Sequence, residues 1–197
     1  MLALSGLILS LANCSHSVPK DAASLGKYLE NPANGLLITQ EQGPYVLTAK
    51  YLPSAYLTAL EQPTAGAPQA SPAGTSSVPV AIFKLRVASK NPTSSVQGLL
   101  RETVTLLTPD EQQHALFYQM QQAGYLQVGS QRVRPIAAYV EMTPQREQYL
   151  DIVFTFSLHD APLPAASEVT FVLDKAFFLA YPVRFAFAAE NIQAVAS

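Results

Sequence analysis

Leu150-Asp151-Ile152-Val153-Phe154-Thr155-Phe156-Ser157-Leu158 is the stretch that decides the fold. Successive side chains on a strand point to opposite faces. Leu150, Ile152, Phe154, Phe156 and Leu158 therefore share one face, and Asp151, Thr155 and Ser157 point away. A strand that is apolar on one side belongs in an antiparallel sheet laid on a core. A doubly wound parallel sheet is covered on both sides and uses strands apolar on both. The same alternation recurs at 80–88, where Phe83, Leu85 and Val87 oppose Lys84 and Arg86, and at 45–52, where Tyr45, Leu47, Ala49 and Tyr51 oppose Thr48 and Lys50. Val169, Phe171 and Leu173 repeat it, as do Val183, Phe185 and Phe187.

The remaining strands follow from turns. Leu36 to Gln40 reads as a partner of 45–52 around Gln42-Gly43-Pro44. Tyr125 to Val128 and Arg132 to Met142 read as a hairpin around Gly129-Ser130, with Pro135 marking an edge or a bulge. The strongest helix is 109–123. Thr108 is its N-cap, Pro109 its first residue, and Glu111 completes a capping box. Leu116, Met120 and Ala123 are expected on its core side with Phe117 beside them. Gln112, Gln113, Gln119 and Gln122 are expected on the solvent side, and Gly124 at a left-handed closing position. A shorter helix is expected over Asp21 to Glu30. Another should open at Pro53, with Tyr56, Leu57 and Leu60 on one side. Residues 94–107 fit a helix or a strand. The sum is an α+β fold, a mainly antiparallel sheet or β-sandwich with helix 109–123 packed on it.

Composition bounds what such a domain can do. The chain has 197 residues, 12 basic and 14 acidic side chains, one Cys and no Trp. That length can bury a core without disulfides. A net charge of −2 excludes a generic polyanion binder, so no nucleic-acid partner is expected. A single Cys excludes an internal disulfide and a Cys-based zinc site. Pro63 to Pro79 carries no charge and no aromatic residue, and reads as a flexible loop interrupting one domain over 21–197.

Met1 to Ala12 is uncharged and rich in Leu and Ile, too short to span a bilayer but of the length of a secretory hydrophobic core. The only Cys follows at once, in Leu11-Ala12-Asn13-Cys14. Here the chain resembles a bacterial lipoprotein precursor, with Asn13 standing where that family has Gly or Ala. The general style also resembles uncharacterised envelope lipoproteins of the Bacteroidota. The resemblance implies a signal peptide over 1–13, lipidation of Cys14, and a tether over 14–20 that holds the domain to a bilayer. Ser15 after the Cys implies an outer-membrane destination, facing either the periplasm or the surface.

Catalytic signatures are sparse. The chain contains no G-x-S-x-G, G-x-x-x-x-G-K, G-x-G-x-x-G or H-E-x-x-H run. His159-Asp160 follows the best strand and offers a polar pair for acid–base or metal work, against the plainer reading of a polar turn. Arg132 and Arg134 are a candidate basic surface, joined by Arg146, Arg184, Lys84 and Arg86; sheet edges also carry such charges simply to block aggregation. Eight tyrosines, Tyr45, Tyr51, Tyr56, Tyr118, Tyr125, Tyr139, Tyr149 and Tyr181, are candidates for a sugar-stacking platform or for core. No cofactor is expected. The leading expectation is a non-catalytic envelope lipoprotein that docks onto other envelope proteins. The alternative is a glycan- or small-ligand-binding lipoprotein. A hydrolase using His159 and Asp160 ranks third.

Overall fold

A computed structural model describes residues 18–19, 21–61, 79–142, 147–159 and 167–196. The expected signal peptide, Cys14 and most of the tether lie outside these residues. So do the loop at 63–79 apart from Pro79, Arg146 and Asp160.

Among the described residues, nine strands form two antiparallel sheets. The first has the order β1 (Leu37–Gln42), β2 (Tyr45–Leu52), β3 (Val80–Ser89), β7 (Tyr149–Ser157), β6 (Pro135–Glu141). The second runs β5 (Gln131–Val133), β4 (Gly124–Val128), β8 (Glu168–Leu173), β9 (Val183–Ala188). Their inner faces meet through aromatic rings. Phe83 of β3 lies 5.5 Å from Phe171 of β8 and 5.2 Å from Phe187 of β9, and Phe154 of β7 lies 5.0 Å from Phe171. The apolar sets read from alternation are buried: Phe83, Leu85 and Val87, then Leu150, Ile152, Phe154 and Phe156, then Val169, Phe171 and Leu173, then Val183, Phe185 and Phe187; on β7 and β8 the outward-facing Asp151, Val153, Thr170 and Val172 are buried as well. The fold is α+β with mostly antiparallel sheet, as the alternation predicts.

Among the described residues, five α-helices accompany the sheets: α1 (Ala22–Glu30), α2 (Ser54–Glu61), α3 (Val96–Thr103), α4 (Pro109–His114) and α5 (Ala189–Ala196). Asp21 caps α1 by accepting a bond from the Ser24 amide at 2.8 Å. The ambiguous stretch 94–107 contains α3, with Ser95 as its cap. The structure adds α5, which buries Ala189, Ile192 and Val195 directly after β9.

Three expectations about the strands and the shorter helices need correction. The strand expected over 132–142 is two strands in different sheets, divided at Arg134. Pro135 cannot donate to a ladder, so the chain leaves the second sheet there and starts β6 at the edge of the first. The register of β6 shifts between Pro135 and Ala137, which is the irregularity the proline signals. Gly124 is not a left-handed cap but the first residue of β4. A Cβ there would stand 2.5 Å from the Val172 carbonyl oxygen, so glycine permits close approach of β4 to β8. Leu60 lines the same surface depression as Tyr56 but is 60% exposed, whereas Tyr56 and Leu57 are half-buried.

Helix 109–123 is helical throughout but irregular. It runs as α4, then a π-helical turn over Ala115–Gln119, then a 3-10 turn over Met120–Gln122. The capping box at Thr108 and Glu111 is present. Gln112, Ala115, Met120 and Ala123 are buried, whereas Leu116 is half-buried and Phe117 exposed. In a regular helix the residue four after Ala115 is Gln119. The wider π turn inserts one residue, so Met120 replaces it on the core side.

Candidate functional site

The outer face of the first sheet carries a charged row set by register. Thr39, Thr48, Arg86, Asp151 and Glu141 lie side by side across β1, β2, β3, β7 and β6. Asp151 points away from the core, as the alternation requires, yet it is only 1% exposed. Arg86 donates to both its oxygens, Nε to Oδ1 and Nη2 to Oδ2, each at 2.8 Å. Lys84 lies 3.9 Å from Oδ2 and is bonded to Glu141. The Arg86 guanidinium also sits 3.7 Å over the Tyr149 ring. Its bond to Asp151 pushes the Arg86 pKa above its ordinary value. Lys50 of β2 pairs with Glu30 of α1 on the same sheet. These charges compensate one another across the sheet.

The row ends at a pocket. A cavity of about 410 Å³ opens between α3, the irregular helix and the end of β6. Leu100, Leu116, Phe117, Val140, Met142, Leu150 and Phe177 form its apolar walls. Gln97, Arg101, Asp110, Gln113 and Glu141 supply polar groups. The π turn shapes this site, because burial of Ala115 and Met120 turns Leu116 and Phe117 toward it. Phe117 is 38% exposed and Met142 64%, so the cavity has an open apolar rim.

Gln112 fixes the helices that frame the pocket. Its Nε2 donates to the Val104 carbonyl at 2.8 Å and to the Leu107 carbonyl at 3.1 Å. Carbonyls at the end of a helix have no partner within it, and this side chain supplies one across the turn from α3 to α4. The expectation of a solvated Gln112 is therefore corrected. Phe177 also lines a second cavity of about 370 Å³ beside Tyr45 and Thr103, whose hydroxyls are hydrogen-bonded to each other.

The residues singled out in the sequence stand elsewhere. His159 is exposed just after β7, its amide 3.5 Å from the Ser157 hydroxyl, and Asp160 lies outside the described residues. Arg132 is exposed on β5 with its guanidinium 4.7 Å over the Tyr125 ring. Arg134 is exposed in the link between β5 and β6. Lys84 and Arg86 belong to the other sheet and are engaged by carboxylates, so they do not extend a basic surface from Arg132. Of the tyrosines, Tyr45, Tyr51 and Tyr125 are core, while Tyr118, Tyr139 and Tyr181 are more than half exposed. Among the described residues no three His, Cys, Asp or Glu side chains come together as metal ligands. No described helix is long and apolar enough to cross a membrane.

Fold and site together define a two-sheet, antiparallel α+β domain with an apolar-walled pocket at a sheet edge. Comparison with protein-family models, curated proteins and solved structures gives no match.

Proposed function

We propose that this protein is a lipid-anchored, non-catalytic lipoprotein of a bacterial cell envelope whose domain docks onto another envelope protein through the pocket at the end of β6. The anchor rests on Leu11-Ala12-Asn13-Cys14 after an uncharged apolar run. The docking surface rests on one observation: Phe117 and Met142 stand exposed at the mouth of an apolar cavity whose lining contains no His, Cys or Ser. Such a concave apolar site with a few polar groups suits binding, and its lining lacks the nucleophile–base pair that acyl chemistry needs. The partner would insert an apolar side chain, with Gln97, Arg101 and Gln113 available at the rim for polar contacts.

The test is recovery of the anchored protein from its native envelope beside the Phe117→Asp variant, with thermal melting to show that the variant is folded. Loss of co-purifying envelope protein in the variant is the expected result. Recovery of the same assembly from both overturns the docking surface.

A second reading, ligand binding by tyrosines, draws on the exposed rings of Tyr118, Tyr139 and Tyr181. It expects a neutral glycan to be retained by the wild type and released by Tyr139→Ala.

A further inference from the structure

The helix pair at the start of the chain is not accounted for by the pocket at β6. α1 and α2 pack together, with Gly26 of α1 against the Tyr56 hydroxyl of α2. Between them lies a wide, shallow depression of about 710 Å³, lined by Ala22, Ala23, Gly26, Lys27, Tyr56 and Leu60 among others. α2 has no charged residue before Glu61, and Ala55, Ala59 and Leu60 are exposed on it. An isolated exposed leucine needs no explanation. An uncharged helix surface beside the entry of the chain does.

Chain length says what lies near this face. Val18 packs against the core, so the chain is already held by the domain four residues after Cys14. An extended chain advances at most about 3.5 Å per residue, so the four residues of chain from Cys14 to Val18 span at most about 14 Å. Ala22, at the edge of the depression, is only eight residues from Cys14, at most about 28 Å of chain. A lipid on Cys14 would hold the start of α1 close to the headgroups. Of the charges nearby, Lys27 and Glu30 both line the depression, Glu30 is paired with Lys50, Asp21 caps α1 and Glu61 follows Leu60, so Lys27 is the cation this face offers to anionic headgroups.

We propose that the α1–α2 face, including the exposed Leu60 near the end of α2, rests on the bilayer surface to which the chain is anchored. The inference builds on the lipoprotein reading. One leucine is too little to recruit a domain to a membrane, so this face orients an anchored domain and leaves the β6 pocket to a partner.

The absence of Trp makes the test clean. Full-length Leu60→Trp and Gln131→Trp chains are recovered from membranes and reconstituted in phosphatidylethanolamine–phosphatidylglycerol vesicles carrying a headgroup-level quencher. Gln131 is exposed on β5, in the other sheet. The Leu60→Trp emission should shift to the blue and be quenched at least about twofold more than that of Gln131→Trp, as a residue seated at the interface would be. Equal quenching at both positions, or none at position 60, overturns the proposal. A blue shift that follows protein concentration instead of vesicles assigns the face to a second copy of the chain and also overturns it. The mass of the Cys14 peptide separates the two claims. An unlipidated Cys14 removes the anchor and this orientation together, whereas a lipidated Cys14 with unquenched Trp at position 60 removes the orientation alone.

Discussion

Arg86 and Asp151 meet across β3 and β7 in a two-point ion pair, with both donor–acceptor distances at 2.8 Å. The carboxylate is 1% exposed, and the arginine side chain keeps 44% of its surface in water. That asymmetry sets the consequence of breaking the pair. Arg86→Ala leaves a buried carboxylate with Lys84 at 3.9 Å as its remaining cation. Loss of one partner of a buried pair costs about 3–5 kcal/mol, and here solvent and Lys84 should reduce that to roughly 2–3 kcal/mol. Urea unfolding measures it. The double variant Arg86→Met/Asp151→Leu should recover most of the loss, because no unpaired charge remains.

Gly124 gives a steric prediction. A methyl group there would collide with the Val172 carbonyl, which belongs to a paired strand and cannot swing aside. Gly124→Ala should destabilise by about 2–3 kcal/mol, in the range of overpacked core sites. Gly43, whose Cβ would meet nothing within 4 Å but whose φ is +56°, should lose only about 1 kcal/mol as Gly43→Ala, from the left-handed backbone. Melting temperatures of the two variants decide between collision and backbone strain as the dominant effect.

Gln112 links α3 to α4 through two carbonyls. Gln112→Leu keeps the volume and removes the side-chain donor to the Val104 and Leu107 carbonyls, of which the Val104 carbonyl keeps only the long bond from the Leu107 amide at 3.5 Å. A cost of about 1–3 kcal/mol is expected, with little change for the exposed neighbour Gln113→Leu. Chemical denaturation of the pair of variants checks the contrast.

Tyr51 predicts an alkaline transition. Burial pushes its hydroxyl up to about 12, from 10 in the unfolded chain. The folded state prefers the neutral phenol, so this contribution is fully present below pH 10 and is lost as pH rises from 10 toward 12. Two units correspond to about 2.7 kcal/mol at the limit. Tyr51→Phe should flatten the fall in stability over that window and leave stability near pH 7 almost unchanged, as seen in denaturation midpoints against pH.

Several of these relationships were legible in the sequence and several were not, for definite reasons. Phe154 and Phe171 announce their strands because alternation reports which side of a sheet meets the core. Alternation gives a direction and not a depth, so it places Asp151 outward but cannot show that Arg86 and Lys84 close over it. The cap at Thr108 is a local signal and is present; the π turn at Ala115–Gln119 answers to what the sheets require of Met120, a tertiary demand. Arg132 and Arg134 look like one strand face until Pro135 carries the chain to the other sheet. The β6 pocket joins Leu100, Phe117, Met142 and Phe177 from distant parts of the chain, and no spacing rule brings them together. Helical spacing puts Phe117 only beside the core stripe, and its place at the rim follows from the π turn.

Anchoring and the orientation of the α1–α2 face both depend on the lipid on Cys14. The most direct measurement is incorporation of radiolabelled palmitate into the wild-type chain and into Cys14→Ser in the native host. Label in the wild type, none in Cys14→Ser, and release of the variant from the membrane fraction is the predicted result. An unlabelled wild type, or equal membrane association of the two chains, would contradict the account.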